Sequence, residues 1–181
     1  MQPSSPEPDL FAILEVLLRH RVDFIVVGGV AATLQGAPIL TMDVDIVHAR
    51  EKSNIERLLG ALRELDAFYR LQASRRLPPN ASHLSSPGHH LLSTKFGALD
   101  VLGTIGHAHD WSELIHRTDI VQLNEGMTIA VLDLPTQIAI KEEVNRPKDA
   151  IMLPILRQTL AERSTLKTGS PPEPASEPQA P

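Results

Sequence analysis

The run Met42-Asp43-Val44-Asp45-Ile46-Val47-His48 places two acids inside a segment otherwise fit to be a buried strand. Strand side chains alternate, so Asp43 and Asp45 share one face, roughly 6.5–7 Å apart along the chain, while Val44 and Ile46 face a core. Carboxylates that close raise one another's pKa, and a bound divalent cation removes the cost. An all-oxygen donor set suits Mg²⁺ or Mn²⁺ rather than zinc. The run therefore requires a strand with one apolar face and one open, acidic face. A third acid, Asp100 in Ala98-Leu99-Asp100-Val101-Leu102, stands alone in another apolar strand-like run. If the two strands are neighbours, three carboxylates converge, a set suited to in-line displacement at phosphorus. The plainer roles of an Asp-x-Asp tripeptide are capping a helix or ending a strand.

Upstream, Asp23 to Val27 reads as a buried strand closed by Gly28-Gly29, with a short helix from Val30 to Leu34. Glycines at a strand-to-helix turn let backbone approach a phosphate closely; they also serve a tight turn. The pattern is neither G-x-G-x-x-G nor a P-loop.

The rest of the chain supplies a scaffold. Asp9 caps a helix to about His20, with Leu10, Ile13, Leu14, Leu17 and Leu18 on one stripe. Ser53-Asn54-Ile55-Glu56 reads as a capping box opening a further helix. Phe68–Leu71 reads as a strand, followed by a polar loop with Pro78, Pro79 and Asn80. A strand pair, Leu91–Phe96 and Leu99–Leu102, surrounds Gly97, and residues 111–116 read as a short helix. Asp119–Leu123 and Met127–Leu132 form a hairpin about Asn124-Glu125-Gly126. Helices follow from Pro135 to about Val144 and from Pro147 to about Arg163, the second kinked at Pro154. The order predicts an α/β (α+β) domain with a mixed sheet flanked by helices. Residues 1–8 are expected to be a flexible N-terminus, 9–166 the domain, and 167–181 a disordered Pro-rich tail.

Composition narrows the function. With 181 residues, one domain with a sizeable core is expected. The absence of cysteine excludes disulfides and thiolate chemistry. A net charge of −5 argues against broad coating of DNA, and one Trp, one Tyr and four Phe leave few platforms for stacking bases. No apolar run reaches the ~18–20 residues of a membrane span. The stretch MQPSSPEPD lacks the basic and apolar regions of a secretory signal, so the expected compartment is the cytoplasm. His107, His109 and Asp110, with His89 and His90 upstream, have a plausible metal spacing; a polar loop after the Asp100 strand is the simpler account. Arg75 and Arg76 fit either an RNA backbone contact or a solvated pair. No G-x-S-x-G elbow is present.

Taken together, Val27-Gly28-Gly29, Gly36, Thr41, Asp43-x-Asp45 and Leu99-Asp100-Val101 resemble the nucleotidyltransferase superfamily. The resemblance is to its small prokaryotic branch related to AbiEii-type toxins and minimal nucleotidyltransferases. Lys141-Glu142-Glu143-x-x-Arg146-x-Lys148-Asp149 resembles the segment closing many members of that branch, and the likeness covers roughly residues 10–162. It implies transfer of a nucleoside monophosphate from an NTP to a hydroxyl of RNA (tRNA ends included), a protein or a small molecule. It implies Mg²⁺ or Mn²⁺ held by Asp43, Asp45 and Asp100, and nucleotide contacts from Gly28, Gly29, Thr41, Lys141 and Lys148; the plain alternative for the two lysines is a solvated helix face paired with Glu142 and Asp149. An antitoxin or a second copy is the implied partner. Two positions depart from the pattern: Ile39 stands where members often carry arginine, and Gly29 where other branches carry serine. The first opens an alternative, a catalytically weak member acting as a binding or regulatory module.

Overall fold

The computed structural model describes residues 8–168. The expectations for residues 1–7 and for the tail beyond Thr168 lie outside the described residues. Nine strands and seven helices alternate among them. Strand β1 (Phe24–Val27) leads into α2 (Gly28–Leu34), and β2 (Asp43–His48) into α3 (Lys52–Glu64). Helix α1 (Leu10–Arg19) precedes them, capped as expected by Asp9, whose carboxylate accepts from the Ala12 N–H at 3.0 Å. Next come β3 (Phe68–Tyr69), a 3₁₀ segment (Arg70–Arg75), α4 (Ala81–Leu84), β4 (His89–Thr94) and β5 (Gly97–Leu102). A small ribbon, β6 (Thr104–Ile105) with β7 (His109–Asp110), leads to α5 (Trp111–Leu114). The hairpin β8 (Thr118–Asn124) and β9 (Met127–Leu132) is followed by α6 (Leu134–Val144) and α7 (Asp149–Thr168).

Seven strands form one mixed sheet in the order β3-β4-β5-β2-β1-β9-β8. At its centre β2 runs antiparallel to β1 and parallel to β5. Beyond β1, β9 is parallel to it. The pleat divides β2 as its sequence pattern requires. Val44 and Ile46 join a core with Ile13, Leu14 and Leu17 of α1 and Ile55, Leu58 and Leu62 of α3. Val47 packs on the opposite face with Ile25, Val27 and Leu132, beneath α5 and Ile140 of α6. A third cluster, Ala32, Ala37, Leu134, Ile138 and Leu156, ties α2 to α6 and α7.

Several local expectations shift. The α3 capping box does not form: the helix starts at Lys52 after Glu51, with no side-chain cap. Asn54 is instead buried, accepting from the Asp23 N–H at 2.7 Å and donating to the Asp23 and Ala49 carbonyls at 3.0 and 2.8 Å. Tying the start of β1 to the end of β2 satisfies buried backbone groups that a surface cap would leave unpaired. The expected strand at residues 68–71 ends after Tyr69, and α4, β6 and β7 occupy stretches read as loop. The last helix begins at Asp149 rather than Pro147, and Pro154 lies within it.

Candidate active site

The three aspartates meet because β2 and β5 are adjacent and in register, with Asp45 opposite Asp100. One carboxylate oxygen from each of Asp43, Asp45 and Asp100 lies within 4.8 Å of the other two. Among the described residues this is the one group of three or more acidic or histidine side chains drawn together so closely. All three are half-buried.

The electrostatics are those of an under-compensated cluster. Asp45 is pushed from its ordinary 3.8 to about 7, first by burial, then by the charges of Asp43 and Asp100. Lys148 and Lys141 pull it the other way, which places both lysines within electrostatic range of the cluster. Asp100 is also raised, again chiefly by burial, with Arg70 opposing and Asp43 adding to the shift. Three oxygen donors carrying more negative charge than their surroundings neutralise form a donor set that fits Mg²⁺ or Mn²⁺.

The glycines fit around these acids. Val27 lies opposite Asp45 at the end of β1, and Gly28 then turns the chain into α2 with φ of 67°. A Cβ on Gly28 would lie 2.4 Å from Asp45 Oδ2, so only glycine allows the acid its position. A Cβ on Gly29 would lie 2.8 Å from Thr41. The Thr41 hydroxyl is directed at Asp43, 3.0 Å from Oδ1 and 3.2 Å from the carbonyl, so Thr41 orients an acid of the cluster. Ile39 is half-buried and packs against the cluster joining α2, α6 and α7.

The two lysines differ. Lys141 is mostly buried and donates to Asp149 Oδ1 at 3.0 Å. The plain reading, a solvated pair of lysines facing Glu142 and Asp149, therefore fits only in part. Asp149 is 1% exposed and also accepts from Arg146, while Glu142 pairs with Arg157. Burial favours a protonated Asp149, but the bonds from Arg146 and Lys141 override it and hold the carboxyl at about 2. Lys148 is exposed, just before α7.

The sequence reading missed Arg70. Its guanidinium donates to Asp100 Oδ1. Asp100 thus has a basic partner that its own strand and neighbours did not advertise. The contact spans thirty positions, and Arg70 has no local signature. The histidines do not join the site. His109 bridges Glu113 and Glu143 at 2.8 Å each, and His107 Nδ1 lies 2.9 Å from Glu143. His89 faces the Thr104 carbonyl, and His90 lies beside Tyr69. Arg76 pairs with Asp66 and lies over the Phe68 ring at 4.2 Å. Among the described residues no helix is long and apolar enough to cross a membrane.

No protein-family model matches the chain, and no curated protein sequence matches it. Among solved structures, it is similar to the crystal structure of a Thermotoga maritima protein that bears the name "putative nucleotidyltransferase". The TM-score is 0.50 at 19% identity, over 84% of this chain and 91% of that one. At that identity the likeness concerns the backbone: this chain has a nucleotidyltransferase-like fold, a seven-stranded mixed sheet flanked by helices.

Proposed function

We propose that this chain is a metal-dependent nucleotidyltransferase, transferring a nucleoside monophosphate from an NTP to a hydroxyl and releasing pyrophosphate. The observation that carries the reading is the convergence of Asp43, Asp45 and Asp100 on adjacent strands, with the Asp45 carboxyl raised to about 7 by burial and by the charges of Asp43 and Asp100. A scaffold acid with no ligand gains nothing from such an arrangement.

Asp43, Asp45 and Asp100 would hold Mg²⁺ or Mn²⁺. When bound, the ion supplies charge neutralisation on the phosphates and an acidified acceptor hydroxyl. Thr41 keeps the Asp43 carboxylate aimed at the cluster. Gly28 and Gly29, which admit the Asp45 and Thr41 side chains against the backbone, would contact the triphosphate. Lys148 and Lys141 offset phosphate charge. The acceptor oxygen forms a bond to the α-phosphorus, the bond to the pyrophosphate oxygen breaks, and Asp100 takes up the hydroxyl proton. Positioning and electrostatics supply most of the rate in such transfers. The acceptor is a hydroxyl of RNA, a protein or a small molecule, and an antitoxin or a second copy of the chain is the partner that would complete that surface.

One observation favours the alternative, a binding or regulatory module of low activity: Asp100 is already engaged by Arg70. Calorimetry with each NTP, with and without Mg²⁺, on wild type and on the Asp43→Ala, Asp45→Ala double variant, separates the readings. Binding that requires both metal and aspartates is the expected result. Failure of folded wild type to bind any NTP with Mg²⁺ present would overturn the enzyme reading.

A further inference from the structure

Arg70 neutralises one acid of the cluster, yet its own setting is incomplete. Its Nη2 donates to Asp100 Oδ1, while its Nε is buried without a partner. A guanidinium is best satisfied by an anion that offers two oxygens to two of its donors together, as carboxylates and phosphate groups do. Here one carboxylate oxygen takes one donor, and the orphaned Nε makes this geometry costly to keep.

The segment that carries Arg70 is built to let it move. It follows β3, a two-residue edge strand, and residues 71–78 are all exposed. The 3₁₀ segment is broken at Gln72, with φ −125° and ψ 43°, and ends at Arg76 in the left-handed region. No core side chain anchors residues 71–76, so a shift of Arg70 disrupts little packing.

A divalent ion and the Arg70 guanidinium carry charge of the same sign and seek the same oxygens of Asp100. Resting on the metal reading above, we propose that Arg70 is a removable counter-ion. It holds Asp100 while the cluster is empty, is displaced when the ion arrives, and then donates its fork to the phosphates of the incoming triphosphate. It is thus a phosphate-binding residue of the loaded site, and it makes metal and triphosphate binding interdependent. Lys141 does not compete for Asp100, since its ammonium pairs with Asp149.

The test uses the full chain and two probes, Mn²⁺ alone and Mn²⁺ with inorganic tripolyphosphate, followed by calorimetry and by the electron paramagnetic resonance of Mn²⁺. Arg70→Gln, Arg70→Lys and Asp100→Asn are compared with wild type, and Trp111 fluorescence reports that each is folded. Losing a partly exposed competitor of this kind should tighten Mn²⁺ binding about fivefold. The same Arg70→Gln substitution should weaken tripolyphosphate binding about tenfold, since charge-assisted forks to phosphate are the stronger class of bond. Arg70→Lys should recover part of the second effect. These shifts have opposite signs, which a merely structural role does not produce. Shifts of the same sign, or none, overturn the proposal. Mn²⁺ binding that is weakened by Asp100→Asn but indifferent to Arg70 leaves the metal site standing and removes Arg70 from it. No Mn²⁺ binding by any variant overturns the metal reading and this proposal together.

Discussion

Asp45→Asn should make the metal-free protein more stable while disabling its site. The substitution keeps the side chain's shape and removes a charge that the fold holds against its preference. Asp45 rises from 3.8 to about 7 on folding. At about 1.36 kcal/mol per pH unit, a rise of roughly three units corresponds to about 4 kcal/mol. The sign follows from proton counting. Between those two values the folded protein keeps a proton that the unfolded chain has lost, so wild-type stability falls as pH rises through the window. Asparagine has no such dependence. Its advantage should be small near pH 4, grow through pH 5, and reach about 4 kcal/mol above pH 7. Urea unfolding in EDTA at pH 5 and pH 8, followed by Trp111 fluorescence, measures the difference. A variant no more stable than wild type at pH 8, or equally favoured at both pH values, would refute the claim that burial and the neighbouring acids oppose ionisation of Asp45. Adding Mg²⁺ should then stabilise wild type and leave the variant unmoved, because a ligand stabilises only the form that binds it.

Three further outcomes are expected. Gly28→Ala combines a left-handed backbone with a Cβ 2.4 Å from Asp45 Oδ2; it should cost about 1–3 kcal/mol in urea unfolding, and a loss below about 0.5 kcal/mol would contradict the steric argument. Asp149→Asn breaks a buried pair with Lys141 and Arg146 and should cost about 3 kcal/mol at pH 7. Because the Asp149 carboxyl is held at about 2, its contribution is present above 3.8 and lost as pH falls through 2; a variant as stable as wild type at pH 7 would count against this clamp. His109 is raised by its bonds to Glu143 and then Glu113, so its contribution is complete below 6.5 and fades as pH rises through its higher folded value. Melting temperatures of wild type should therefore fall toward those of His109→Gln above pH 6.5, and parallel curves would sink the assignment.

Much of this was legible in the chain itself, and the boundary is physical. The pleat assigns Asp43 and Asp45 to one face and Val44 and Ile46 to the other from sequence alone, because strand alternation is a local rule. The two glycines were recognisable as a close approach of backbone, although their neighbours proved to be Asp45 and Thr41. Three features escaped because they rest on contacts distant in sequence. Asn54 leaves its expected capping box to bond Asp23 and Ala49. Arg70 reaches an acid thirty positions away. Lys141 turns from solvent to a buried Asp149 whose burial no tripeptide reveals. The segment around α4, with its prolines and polar residues, reads as loop because a four-residue helix leaves no periodicity to detect.

The pairing of β2 with β5 has a consequence for synthesis. Two acids of the cluster are made early, at residues 43 and 45, but the third arrives only with residue 100, and β5 must lie parallel beside β2 before it counts. A parallel pair across so long an interval forms late, after local hairpins and helices. A nascent chain that has folded only as far as α3 therefore exposes two carboxylates and no complete cation site. The cluster is completed only when β5 pairs with β2, so on the proposed metal reading ion binding would report that one pairing, ahead of the strands and helices that follow it in the chain.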